Sequence, residues 1–146
     1  MVIWELSVGV VLKSWKRKMT RLSYLAAPYT HKKHYMMVAR FLAINRVACE
    51  YMRRGEYIFS PISHTHPIAE AGELKRGWDY WHGYDARMIS VCDEMIVLTL
   101  DGWKESVGVI AEIKIAEDLK MPILYVEYPF TNFQELVEKT KKAENL

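Results

Sequence analysis

Four short apolar runs, each separated from the next by a helical pattern, limit what this chain can fold into more than any other feature. They are Leu22–Ala26, Tyr57–Ser60, Met95–Leu100 and Ile123–Val126. Runs this short and this apolar suit strands buried on both faces. After the first, Met37, Phe41, Ile44, Ala48 and Met52 recur at three- and four-residue steps, the stripe of a helix over residues 31–54. Thr30 stands where it can cap that helix, and Gly55 follows Arg53 and Arg54 as a terminating C′ residue. A second long helix is expected over residues 78–92, with Trp81, Tyr84, Met88 and Val91 on one side. Ser106 is placed to cap a third that runs to about Lys120, and residues 133–142 read as a last helix or tail.

Strands alternating with helices give a parallel sheet with right-handed crossovers and helices on both faces. The expected fold is therefore α/β, a flavodoxin-like doubly wound parallel sheet of about four strands in the order 2-1-3-4. It occupies residues 21–146 as a single domain, behind an N-terminal extension or arm over residues 1–20. In that extension an apolar run, Leu6 to Leu12, precedes Lys13, Lys16, Arg17 and Lys18, and no function is assigned to it. Two stretches are less regular. Ser60 to Pro67 reads as a loop fenced by two prolines, and Ile68 to Gly77 as a short helix or an ordered excursion.

Composition narrows the function classes. A formal net charge of +2 argues for neither nucleic acid nor an anionic membrane surface as partner. Cys49 and Cys92 each sit in a helical apolar pattern and read as buried thiols of a reducing compartment. No apolar run approaches the roughly 20 residues needed to span a bilayer, and the start lacks signal-peptide features, so a cytoplasmic location is expected. No Cys/His spacing suggests zinc, and neither a GxGxxG nor a Walker sequence is present, so no metal or cofactor is expected. The aromatic content (5 Trp, 9 Tyr, 4 Phe) exceeds what a small four-stranded core readily hides. That predicts a homodimer or higher homo-oligomer, with the helix of Trp78 and Trp81 contributing.

Loops after strands one, two and three meet at one edge of such a sheet. They bring Tyr29; Ser60, His64 and His66; and Trp103, Ser106, Gly108 and Glu112. Asp85, on the preceding helix, can point to the same mouth. Glu112 lies just off the centre of an expected stripe of Val109, Ile113, Ala116 and Leu119. Two carboxylates with aromatics and a helix N-terminus suit attack on a cationic sugar carbon: one as nucleophile, the other handling the proton.

Three elements resemble a known family. Tyr24-Leu-Ala-Ala-Pro-Tyr29, Asp85 eight positions before Asp93, and Ser106-Val-Gly-Val-Ile-Ala-Glu112 are similar to the nucleoside 2-deoxyribosyltransferase and deoxynucleotide N-glycosidase superfamily, over about residues 23–126. The resemblance implies Glu112 as nucleophile at the anomeric carbon, Asp85 as the carboxylate that contacts the sugar hydroxyl or the base, and Tyr29 as the aromatic beside the nucleophile. It also implies that Ser106 and Gly108 line the site, near any 5′-phosphate. The first loop, Ala27-Pro28-Tyr29-Thr30, lacks the glycine- and arginine-rich character of many nucleotide-cleaving members. His64 and His66 fall outside the pattern and enter as candidate substrate contacts with Ser60. Trp78, Trp81 and Trp103 enter as base-stacking candidates, Trp103 ahead of the other two because it stands in the loop, whereas aromatics at helical spacing more often serve core or interface.

Two functions follow as expectations. One is cleavage or exchange of the N-glycosidic bond of a deoxynucleoside or its monophosphate. The other is a sensor module of the same fold that binds a nucleotide-derived ligand without turnover. Both take a small-molecule nucleoside or nucleotide; fold alone does not separate them.

Overall fold

The computed structural model of the chain describes residues 21–130 and 133–146, so the expected N-terminal extension lies outside the described residues. Four strands, β1 (Leu22–Ala26), β2 (Tyr57–Phe59), β3 (Glu94–Leu98) and β4 (Ile123–Val126), form one sheet. Among the described residues five helices surround it: α1 (His34–Arg53), α2 (Pro61–Gly72), α3 (Trp78–Ser90), α4 (Val107–Asp118) and α5 (Phe133–Glu144). The strand order is β2-β1-β3-β4, and every pairing is parallel. This is the expected flavodoxin-like α/β arrangement.

Strand alternation sorts the core into two layers. Leu25, Ile96 and Leu98 face one way and pack with Ala43, Ile44 and Val47 of α1 and with Phe133 and Leu136 of α5. Tyr24, Ala26, Met95 and Val97 face the other way, against Ile89 of α3 and Val109 and Ala116 of α4. Burying each such aliphatic side chain contributes about 1.5–3 kcal/mol, so both layers hold the sheet. Asp93 sets the start of the central pair: its carboxylate accepts the Leu22 N–H at 2.7 Å, and its own N–H donates to the Leu22 carbonyl at 2.8 Å.

Four local expectations need correction. Ser60–Pro67 is not a loop: α2 starts at Pro61, with Ser60 as N-cap accepting the Ser63 N–H. Proline at the first helical position loses an N–H that would be unpaired anyway, and Pro67 is carried inside the helix. Thr30 caps nothing; α1 begins after Lys33, with no side-chain cap bond. Cys49 is exposed, while Cys92 is buried, and both are free thiols. The apolar stripe of α4 is rotated: Val109, Glu112 and Ala116 face the core, whereas Leu119 follows the helix as its C-cap and is 50% exposed.

Arg40, buried in α1, ties two loops that the sheet alone leaves apart. Its guanidinium donates to the carbonyls of Tyr29 (3.3 Å) and Thr30 (3.0 Å) after β1 and of Asp101 (3.1 Å) after β3. Gly102 makes room for it. A Cβ there would lie 2.9 Å from Arg40 Nη2, and the backbone φ of +89° is one that side chains disfavour.

Candidate active site

A cleft of about 430 Å³ opens at the carboxyl ends of β1 and β3. In this strand order the chain leaves β1 toward one edge of the sheet and β3 toward the other, so the cleft occupies the switch point where α/β folds bind ligands. One wall is the β1 loop, with Ala27, Tyr29 and Thr30; another is the start of α2, with Pro61, Ile62 and Thr65. The first turns of α3 supply Trp78, Trp81 and Asp85, and the N-terminal half of α4 supplies Ser106, Gly108 and Glu112.

Glu112 is 6% exposed and lies on the core face of α4. Tyr24, fully buried on β1, donates its hydroxyl to Glu112 Oε1 at 2.7 Å. Burial pushes the Glu112 carboxyl up to about 8; the Tyr24 hydrogen bond opposes that rise, and the Asp85 charge adds to it. Asp85 is half-buried, and desolvation raises it to about 6. Near pH 7 the two carboxyls therefore hold one proton, on Glu112. Glu112 stands in the second turn of α4, beyond the first turn where the helix dipole is felt, so burial dominates. The Tyr24 phenol is itself raised well above its ordinary value, by burial and then by Glu112, so it acts as a donor throughout the physiological range.

Tyr29 lines the cleft and is braced from behind. Its hydroxyl shares a 2.5 Å hydrogen bond with Nδ1 of His66, whose ring stacks on Phe41 with 4.1 Å between centroids. His66 is buried in α2, and burial lowers its pKa, with Arg76 and His34 adding to the effect. It is thus a neutral support for Tyr29 and does not line the cleft.

The remaining candidates divide. Ser106 and Gly108 line the cleft, and Ser106 Oγ also accepts the Val109 N–H at 3.4 Å as N-cap of α4. Ser60 is buried as the α2 cap, and His64 lies against Tyr84 with 6.2 Å between ring centroids; neither lines the cleft. Trp103 packs on Tyr125 at 5.5 Å and on the core layer below, away from the cleft. The tryptophans that do line it are Trp78 and Trp81, with the Trp81 indole N–H donating to the Lys75 carbonyl at 3.0 Å. Sequence reasoning missed the part played by Tyr24. The available signal was a tyrosine inside a buried strand, whose hydroxyl must find a partner.

Among the described residues no group of three His, Cys, Asp or Glu side chains is placed to hold a metal ion. No helix among them is long and apolar enough to cross a membrane. A family model described as a domain of unknown function (DUF1937) matches residues 21–128. No curated protein matches the chain.

Proposed function

The chain belongs to the DUF1937 family, a domain of unknown function, and on that premise we propose that it cleaves the N-glycosidic bond of a deoxynucleoside, passing the sugar to water or to a second base. The observation that carries this reading is the Glu112 carboxyl: buried, facing a nucleoside-sized cleft beside Asp85, and with no cation bonded to it among the described residues. A carboxyl kept so costs stability, and strongly perturbed groups in clefts cluster at functional sites. The resemblance of the Ser106–Glu112 element to the deoxyribosyltransferase superfamily supports the same chemistry.

In the proposed reaction a Glu112 oxygen attacks C1′ as the C1′–N bond breaks. The base leaves with a proton from Asp85. Water or a second base then attacks C1′, freeing Glu112 and returning a proton to Asp85. The reaction needs the shared proton on Asp85 and the charge on Glu112, the reverse of the resting arrangement. Positive charge developing at C1′ favours that reversal, because it stabilises ionised Glu112 more than neutral Glu112. Tyr24 holds Oε1, leaving the second carboxyl oxygen for attack. Trp78, Trp81 and Tyr29 provide faces for the base.

The cytoplasm suits the two free thiols, and a homo-oligomer suits the large side chains left exposed on α3, α4 and β4. The test of the activity is incubation with a panel of deoxynucleosides and their monophosphates, with free base measured by chromatography. Appearance of free base supports the reading, and exchange when a second base is added assigns a transferase. Tight binding of a nucleotide with no base released would replace it by a sensor.

A further inference from the structure

The charged side chains that line the cleft are Asp79, Asp85, Glu105 and Glu112. All four are acidic, and among the described residues no lysine, arginine or histidine joins them. The bias is local, since the chain as a whole carries 20 basic against 18 acidic residues. Several basic side chains on neighbouring elements have partners of their own, although the Arg76 charge still reaches Tyr29 in the cleft wall. Arg40 donates to three backbone carbonyls. Arg76, next to the cleft residue Gly77, is paired with Glu70. Lys104 lies over the Trp103 ring, and His66 stands behind Tyr29. The N-terminus of α4, which would suit an anion, has Glu105 beside it and the Ser106 hydroxyl already on the Val109 N–H. The uncharged walls point the same way. Trp78 and Trp81 present indoles, whose faces attract cations.

We propose that the cleft selects against phosphate and for positive charge: its preferred ligand is an N-glycoside without a 5′-phosphate whose base is cationic, such as an N7-alkylated purine. This rests on the N-glycosidase reading of the cleft. A dianionic phosphate beside the carboxylates of Asp79, Asp85 and Glu105 meets repulsion that nothing among the described lining residues offsets. A cationic base gains from the same field. It also simplifies the chemistry. The electron pair of the breaking C1′–N bond neutralises the ring cation, so the base departs without needing a proton. Glu112 forms the new bond to C1′. Water then displaces it, with the water proton passing to Asp85. A cation held beside Glu112 also favours its ionised form, so binding near pH 7 releases a proton.

Three probes differing in charge test this on the full chain, at a pH low enough for the N7-methyl ring to keep its N1 proton and its full positive charge: 2′-deoxyguanosine, its N7-methyl derivative, and its 5′-monophosphate. Titration calorimetry in two buffers of unlike ionisation enthalpy gives affinity and proton release, and chromatography gives free base over the enzyme-free rate. The methylated nucleoside should bind at least about tenfold tighter than 2′-deoxyguanosine, and the monophosphate at least about tenfold weaker. Both gaps should shrink in high salt and in D79N and E105Q, and the methylated probe should release a proton on binding. A monophosphate that binds as well as the nucleoside overturns the proposal, as does a methylated probe with no advantage or no binding at millimolar concentration. Base release from the monophosphate in preference to the nucleoside overturns charge selection and leaves the glycosidase reading standing. Tight binding of the methylated probe with no base released does the reverse.

Discussion

The Tyr24 hydroxyl on the first strand donates to the Glu112 carboxyl, 88 positions later, in a buried bond of 2.7 Å. That bond is the favourable interaction holding Glu112 toward its ionised form against the desolvation that raises it. In Y24F it is lost, and the Glu112 pKa should rise further. Hydrogen bonds to charged groups are worth about 1.5–3 kcal/mol, so base release near pH 7 should fall roughly 10- to 100-fold. The loss should lessen as pH rises and Glu112 ionises without help. A pH–rate profile of Y24F checks this; a uniform loss at every pH would mean that Tyr24 serves packing alone.

Stability should carry the mark of the same carboxyls. Between its ordinary value of 4.5 and about 8, native Glu112 keeps a proton that the unfolded chain releases. The native state therefore loses stability as pH rises through that window, and Asp85 adds the same slope from 3.8 to about 6. E112Q removes the larger share while leaving an oxygen for the Tyr24 hydroxyl. Thermal unfolding of E112Q should be flatter in pH and, near pH 8.5, higher than native by roughly 5 °C. A lower melting temperature for E112Q at that pH would contradict the assigned burial cost.

Arg40 acts at a distance from the carboxyls. R40M would leave the carbonyls of Tyr29, Thr30 and Asp101 without their donor, at a cost of about 1–3 kcal/mol. Both loops form or flank the cleft, so amide hydrogen exchange should speed up in residues 29–33 and 101–106 together. Faster exchange in one loop only would break the idea that Arg40 couples them.

Large side chains are left exposed on or beside α3, α4 and β4, among them Tyr80, Val91, Val107, Ile110, Leu124 and Tyr125. Sedimentation at micromolar concentration should show a dimer or larger species, and replacing Ile110 and Val107 by serine should shift it toward monomer. A native chain that sediments only as monomer would refute assembly.

The fold was legible because its signals are local. The apolar runs at Leu22–Ala26 and Ile123–Val126 are the observed strands to the residue, and alternation with helices dictates parallel pairing. The α2 helix was hidden by two prolines: Pro61, which at the first helical position gives up only an N–H that would be unpaired anyway, and Pro67, which the helix carries inside it. Within the site, Glu112, Asp85, Tyr29, Ser106 and Gly108 line one cleft as their places at strand ends and helix starts suggest. What the sequence could not disclose is pairwise. Whether residue 112 or 113 faces inward depends on Tyr24 across the layer. Whether His66 meets a ligand or supports Tyr29 depends on α2 being helical. The Trp103 ring turns to Tyr125 while Trp78 and Trp81 take the cleft, a choice set by packing and invisible to spacing.

The central claim is that Glu112 carries the sugar. Intact-protein mass spectrometry during slow turnover of the best deoxynucleoside, followed by peptide mapping, tests it most directly. The account predicts a transient gain of one deoxyribosyl group, located on Glu112 and absent from E112Q, which should also have lost base release. Base release by E112Q at a near-native rate, or an adduct on any other residue, would contradict it.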